Sequence, residues 1–133
     1  MTTFSKNTQL QLDKFEQALA TLKATAQDSE DRKTRDSLLL LFVYTFEMAW
    51  KAMRAVLQDR GDVETPRVAF ATLEMAFKMR YITDEAVWDR LRKGRNGVSH
   101  AYDEAMAIGL SAMVRADAIP EFERLLAFLR AQA

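Results

Sequence analysis

Apolar residues recur along this chain at three- and four-residue spacing, and only four Gly and two Pro interrupt them in 133 residues. That spacing belongs to helices rather than strands, so the pattern predicts an all-α protein whose few breakers mark its joints. Leu10, Leu12, Phe15, Ala18, Leu19 and Leu22 form one face of a first amphipathic helix over 7–27. A charged joint, 28–36, leads into a second helix over 32–59. Within it Leu38 through Tyr44 is apolar all round, which predicts a central helix packed on several sides. Gly61 comes directly after it, where a left-handed cap is wanted.

Thr65 and Pro66 read as an N-cap and a first helical residue, opening a third helix that runs to Met79. Thr83, Asp84 and Glu85 repeat the start signal for a fourth, with acids at the positive end of its dipole. The last stretch, from Asp103 to Arg130, is helical by pattern, but Pro120 lacks a backbone donor and should kink or divide it near Asp117. Short joints imply antiparallel neighbours, so the expectation is one domain over 1–133, an up-and-down bundle of about five helices. Trp50 and Trp88 are expected in the core or at a dimer interface, and Met48, Met53, Met75 and Met79 as core filler.

Composition narrows the chemistry. With no Cys and one His, structural zinc, iron–sulfur clusters and a Cys nucleophile are excluded, leaving only a carboxylate metal site formally open. No cofactor is implied. The longest apolar run, Leu38 to Tyr44, falls far short of the about 20 residues a bilayer demands. The start Met-Thr-Thr-Phe-Ser-Lys has no apolar stretch behind a basic one, so a cytoplasmic protein with no membrane partner is expected. Nineteen Lys and Arg balance nineteen Asp and Glu, which argues against nucleic-acid binding through the overall field. Between Lys78 and Tyr102, however, six bases face three acids.

That basic segment contains Arg95-Asn96-Gly97-Val98-Ser99-His100-Ala101-Tyr102-Asp103, with the sole His and, counting Gly94 just before it, two of the four Gly. On a continuous helix Arg95, Ser99 and Tyr102 share one face, and Asn96 and His100 form the neighbouring four-spaced pair. Arg supplies a fixed cation with a planar fork that fits phosphate, and His a group that titrates near neutral pH. Together they suffice for metal-free phosphodiester cleavage, with His moving the proton and Arg holding charge on phosphorus. The residues are equally compatible with a structural His near a helix C-terminus and Arg95 in a surface ion pair.

Arg, four residues, His, with Asn after the Arg and Tyr two after the His, resembles the signature of the HEPN superfamily in its HepT-like form. Phe46-Glu47-Met48-Ala49-Trp50-Lys51, and Gly61 with Pro66-Arg67, extend the likeness in order. The chain is thus similar over 10–130 to the nucleotidyltransferase substrate-binding protein family, the HepT toxin side of two-gene systems whose other member is a minimal, MntA-like nucleotidyltransferase. The resemblance implies a homodimeric helical bundle with a shared cleft, acting as a metal-independent endoribonuclease on RNA. Arg95 and His100 would be the catalytic pair, Asn96 would orient phosphate or brace the His, and Ser99 would support them. The antitoxin partner would silence the toxin by attaching adenylyl groups to Tyr102, where their phosphate competes for Arg95. The family's older name implies instead a non-catalytic substrate-binding or regulatory subunit. The chain is not the transferase, since it lacks the Gly-Ser and Asp-x-Asp pairs that hold metal and nucleoside triphosphate.

Two further features stay open on the residues alone. Glu47 stands four before Lys51 and seven before Arg54, which suits either intrahelical pairing or a place in the cleft facing His100. Arg90, Arg92 and Lys93 are either a solvated face or the lining of an approach that attracts RNA backbone.

Overall fold

A computed structural model describes residues 3–61, 67–100 and 103–133. Six α-helices account for most of them: α1 Lys6–Ala26, α2 Arg32–Asp59, α3 Ala69–Lys78, α4 Glu85–Val98, α5 Glu104–Met113 and α6 Ile119–Arg130. A π-helical turn over Val114–Ala118 joins α5 to α6 without a loop, so the bundle has five helical rods.

Side-chain caps set four of the starts. Ser5, Asp31, Asp84 and Asp103 each turn a side-chain oxygen to the backbone N–H three residues on, satisfying a donor the helix leaves unpaired. Thr34 N–H and its side chain hold the Asp31 carboxyl below the usual carboxylate range. Gly61 lies just past α2 at φ +100°, the left-handed residue that a helix stop favours. Pro120 sits in the first turn of α6, directly after the π turn. The missing proline donor is accommodated by wider winding rather than by a break.

Two expectations need correction. The third helix begins at Ala69, with Val68 as an N-cap that makes no side-chain bond, and Arg67 and Val68 are bends. The Thr65–Pro66 signal itself lies outside the described residues. Nor is α2 buried all round over 38–44: Leu40 is 69% and Tyr44 51% exposed, because α1 and the last rod cover only one side of that stretch. Met79 is exposed as well, while Met48 and Met53 are core residues.

The core is aromatic at its centre. Phe42 lies between Phe46 and Phe122 with ring centroids 6.3 and 6.2 Å away, and Trp88 meets the same two rings at 6.2 Å each. Phe15 of α1 meets Phe122 edge-on at 5.9 Å. Edge-on and offset geometries of this kind add to the area term that dominates the burial of such rings. α1 and α2 run antiparallel, with Thr8 donating to Ala55 O at one end. A carboxylate reaches the aromatic cluster: Glu121 accepts 2.6 Å from the Trp88 indole N–H and 2.8 Å from each of two Arg124 nitrogens. The carboxylate in turn keeps the Arg124 guanidinium more firmly protonated than usual.

Candidate functional site

The segment with the sole histidine occupies the last turns of α4 and the residues just beyond them. Trp88 and Leu91 turn one face of α4 into the core, and Gly94, one turn further along that face, is buried too. A Cβ on Gly94 would run into Met113 Cε, and one on Gly97 would touch Leu110. Both glycines thus lie under α5, Gly94 beneath the flexible end of the Met113 side chain and Gly97 at ordinary contact distance from Leu110.

Arg95 comes next, and it points at α2. Its Nη2 donates to Glu47 Oε1 at 3.2 Å, while the Trp50 indole N–H donates to Glu47 Oε2 at 3.1 Å. Each carboxylate oxygen thus holds one donor, and the carboxylate spans from its own helix to α4. The intrahelical pairing of Glu47 with Lys51 and Arg54 does not form. Lys51 Nζ lies instead 5.8 Å from the Trp50 ring centroid, in the range of a cation–π contact. Side-chain exposures of 39% for Arg95 and 29% for Glu47 keep the worth of the ion pair under about 1 kcal/mol.

The continuous helix expected through His100 also fails. α4 ends at Val98, Ser99 is its C-cap, and the Ser99 hydroxyl donates to Asn96 O at 3.0 Å. His100 N–H returns to Gly97 O at 3.0 Å. Two glycines and a serine that bonds its own backbone weaken the last turn, and Asp103 starts α5 at once. Asn96, Ser99 and His100 are exposed, and Arg95 is half-buried. Tyr102, the third member of the face expected with Arg95 and Ser99, lies outside the described residues. Arg95, Asn96, Ser99 and His100 all lie at one helix end, where Arg95 reaches Glu47.

The basic cluster is partly neutralised. Arg92 and Lys93 both pair with Asp89, at 3.3 and 2.8 Å, and Arg90 pairs with Asp117 at 3.1 Å. The Lys93 bond, first, and Arg92 hold the Asp89 carboxyl below its ordinary range. Arg92 also lies over the Phe70 ring, 5.4 Å from its centroid. Among the described residues no group of His, Asp and Glu is arranged to hold a metal ion, and no helix is long and apolar enough to cross a membrane.

Residues 10–131 match the family model of nucleotidyltransferase substrate-binding-protein-like chains. The chain belongs to that family. Two solved structures of similar proteins agree with it in fold. HI0074 from Haemophilus influenzae, whose structure revealed the fold of a substrate-binding domain of a nucleotidyltransferase, superposes with a TM-score of 0.74 at 25% identity, over 90% of this chain and 98% of that one. A protein from Thermus thermophilus, ttk003001694, gives 0.70 at 26% identity, over 89% and 97%. No curated protein sequence matches. For a nucleotidyltransferase substrate-binding-protein-like chain, the Arg95–Glu47–Trp50 junction is an internal support for the end of α4. Sequence spacing does not reveal it, because Glu47 and Arg95 are 48 positions apart. The polar side chains of Asn7, Gln11 and Arg67, which share a cavity with Lys51 and Arg54, carry no motif that marks them as a group.

Proposed function

We propose that this chain is the substrate-binding subunit of a two-component nucleotidyltransferase, holding the acceptor or nucleotide at the C-terminal end of α4 while a separate minimal nucleotidyltransferase performs the transfer. The observation that carries the reading is the doubly held Glu47, which fixes Arg95 in direction yet engages one of the five guanidinium N–H groups. The remaining donors, with exposed Asn96, Ser99 and His100 alongside, suit a phosphate-bearing ligand. Family membership and the likeness to HI0074 support the same reading. Co-expression with the neighbouring nucleotidyltransferase tests it. The expected result is a stable complex of unmodified chain whose nucleotide binding falls on Arg95→Ala, and the absence of any complex overturns the reading.

A second reading is favoured by the grouping of Arg95 and His100 at one exposed helix end: a metal-independent HEPN-type endoribonuclease toxin, active as a homodimer. There His100 takes the ribose 2′-hydroxyl proton, the 2′-oxygen attacks phosphorus to form a 2′,3′-cyclic phosphate, the bond to the 5′-oxygen breaks and that oxygen takes a proton from water, and Arg95 holds the charge on the phosphoryl oxygens. Arg90, Arg92 and Lys93 attract the RNA backbone. The partner neutralises the toxin by transferring the adenylyl group of ATP to the Tyr102 oxygen, releasing pyrophosphate. An intact mass raised by adenylyl groups, and restored in Tyr102→Phe, selects this reading over the first.

A further inference from the structure

A second polar site lies on the other side of Trp50. Asn7 and Gln11, one turn apart on α1, face Trp50, Lys51, Arg54 and Ala55 of α2 across a cavity of about 450 Å³, and Arg67 closes it. Three of these side chains are cations, and no carboxylate is among the described residues that line the cavity. In a chain of zero formal charge that concentration stands out against the ordinary pattern here, in which Arg35, Arg90, Arg92, Arg95, Arg115, Arg124 and Arg130 all rest on a carboxylate.

Arg54 departs furthest from it. Its Nε is buried with no hydrogen-bond acceptor, and neither it nor Arg67 makes an ion pair with a described residue. Arg35 Nε is also buried without a partner, but that guanidinium is compensated through Nη2 on Glu104. Among the described residues Lys51 meets the Trp50 ring and no carboxylate. Like charges gathered in a cleft, one of them partly buried and without a carboxylate partner among the described residues, repel and lose hydration, which is unfavourable until an anion enters. Guanidinium forks and an ammonium then supply N–H donors in the arrangement that phosphoryl oxygens accept, and the Asn7 and Gln11 amides add neutral donors.

We propose that this cavity binds a polyphosphate group, the triphosphate tail of a free nucleotide or the 5′-triphosphate end of a nucleic acid, with Arg54 as the central contact and Lys51 and Arg67 at its rim. The site is separate from the end of α4 and stands whether or not Arg95 binds substrate. Its volume falls within the roughly 300–1,000 Å³ of small-ligand pockets.

The test is calorimetric titration of the full chain with inorganic tripolyphosphate. One-to-one binding is expected, weakened roughly tenfold or more by Arg54→Gln, as befits loss of a charged hydrogen-bonding partner. Lys51→Gln changes an exposed residue and should weaken binding in the same direction, so it carries the test even if Arg54→Gln does not fold. Lys23→Gln, which removes a charge from the far half of α1, should leave affinity unchanged. No binding, or equal loss in Lys23→Gln, overturns the proposal. Competition then names the source: displacement by ATP identifies a free nucleotide, and displacement by a 5′-triphosphorylated but not a 5′-hydroxyl oligonucleotide identifies a nucleic-acid end. Equal displacement by the 5′-hydroxyl oligonucleotide reveals unselective backbone attraction and overturns the proposal.

Discussion

Arg95 stands 3.2 Å from Glu47, so the cation at the end of α4 meets any incoming anion with a carboxylate already on one side. Removing that charge while keeping the acceptor for Trp50 should raise phosphate affinity at Arg95. Glu47→Gln is expected to bind a fluorescently labelled nucleotide or oligonucleotide about three- to tenfold more tightly at low salt, with stability changed by less than about 1 kcal/mol. Weaker binding would mean that the carboxylate acts chiefly by aiming the guanidinium.

Arg95→Ala and His100→Ala remove side chains that are half-buried and exposed respectively. Both should leave the far-ultraviolet dichroism spectrum unchanged and the melting midpoint nearly so. If the endoribonuclease reading holds, each abolishes cleavage of an RNA substrate without added metal. Residual cleavage by either variant removes that residue from the chemistry.

Glu121→Ala strands the Trp88 indole N–H, which has Glu121 as its acceptor inside the core. It also strips Arg124 of a carboxylate bonded through both oxygens. The expected loss is about 2–4 kcal/mol in chemical denaturation. Glu121→Gln keeps an acceptor for Trp88 and should recover part of that loss.

The pH dependence stems from Asp31, whose carboxyl is lowered from 3.8 mainly by the Thr34 backbone N–H. A depressed folded-state value means that its contribution is present above the unfolded value and lost as pH falls through the folded one. Asp89, lowered chiefly by Lys93, acts in the same sense. Urea midpoints of the unmodified chain and Asp31→Asn, compared from pH 6 to pH 3, should converge on the acid side. A gap that stays constant would show that the charge of Asp31 contributes nothing.

The sequence reveals the rods better than the ends that matter for function. The start at Thr83–Glu85 and the stop at Gly61 announce themselves, since each uses a side chain or a φ angle that few residues supply, whereas Asp31 is lost in the charged run 28–36. Pro120 likewise locates the change of winding between α5 and α6. The start of α3 is not legible because Val68 caps nothing, and tertiary packing decides where that helix begins. The end of α4 reads as continuous because spacing alone takes no account of the Ser99 hydroxyl bonding Asn96 O. Within the site, the motif brings Arg95 and His100 to one place, but Glu47 turns to Arg95 rather than to Lys51, a choice made across 48 residues. The cationic cavity is invisible for the same reason, its walls coming from α1, α2 and Arg67.

Gly94 and Gly97 against Met113 and Leu110 fasten the end of α4 to the body of α5. Only residues 99–103 run between the two helices, so a short stretch of chain is moored at both ends to the same pair of rods. A connection of so few residues limits how far the two helix ends can part, so drawing the end of α4 away from α5 requires one of the two helices to unwind.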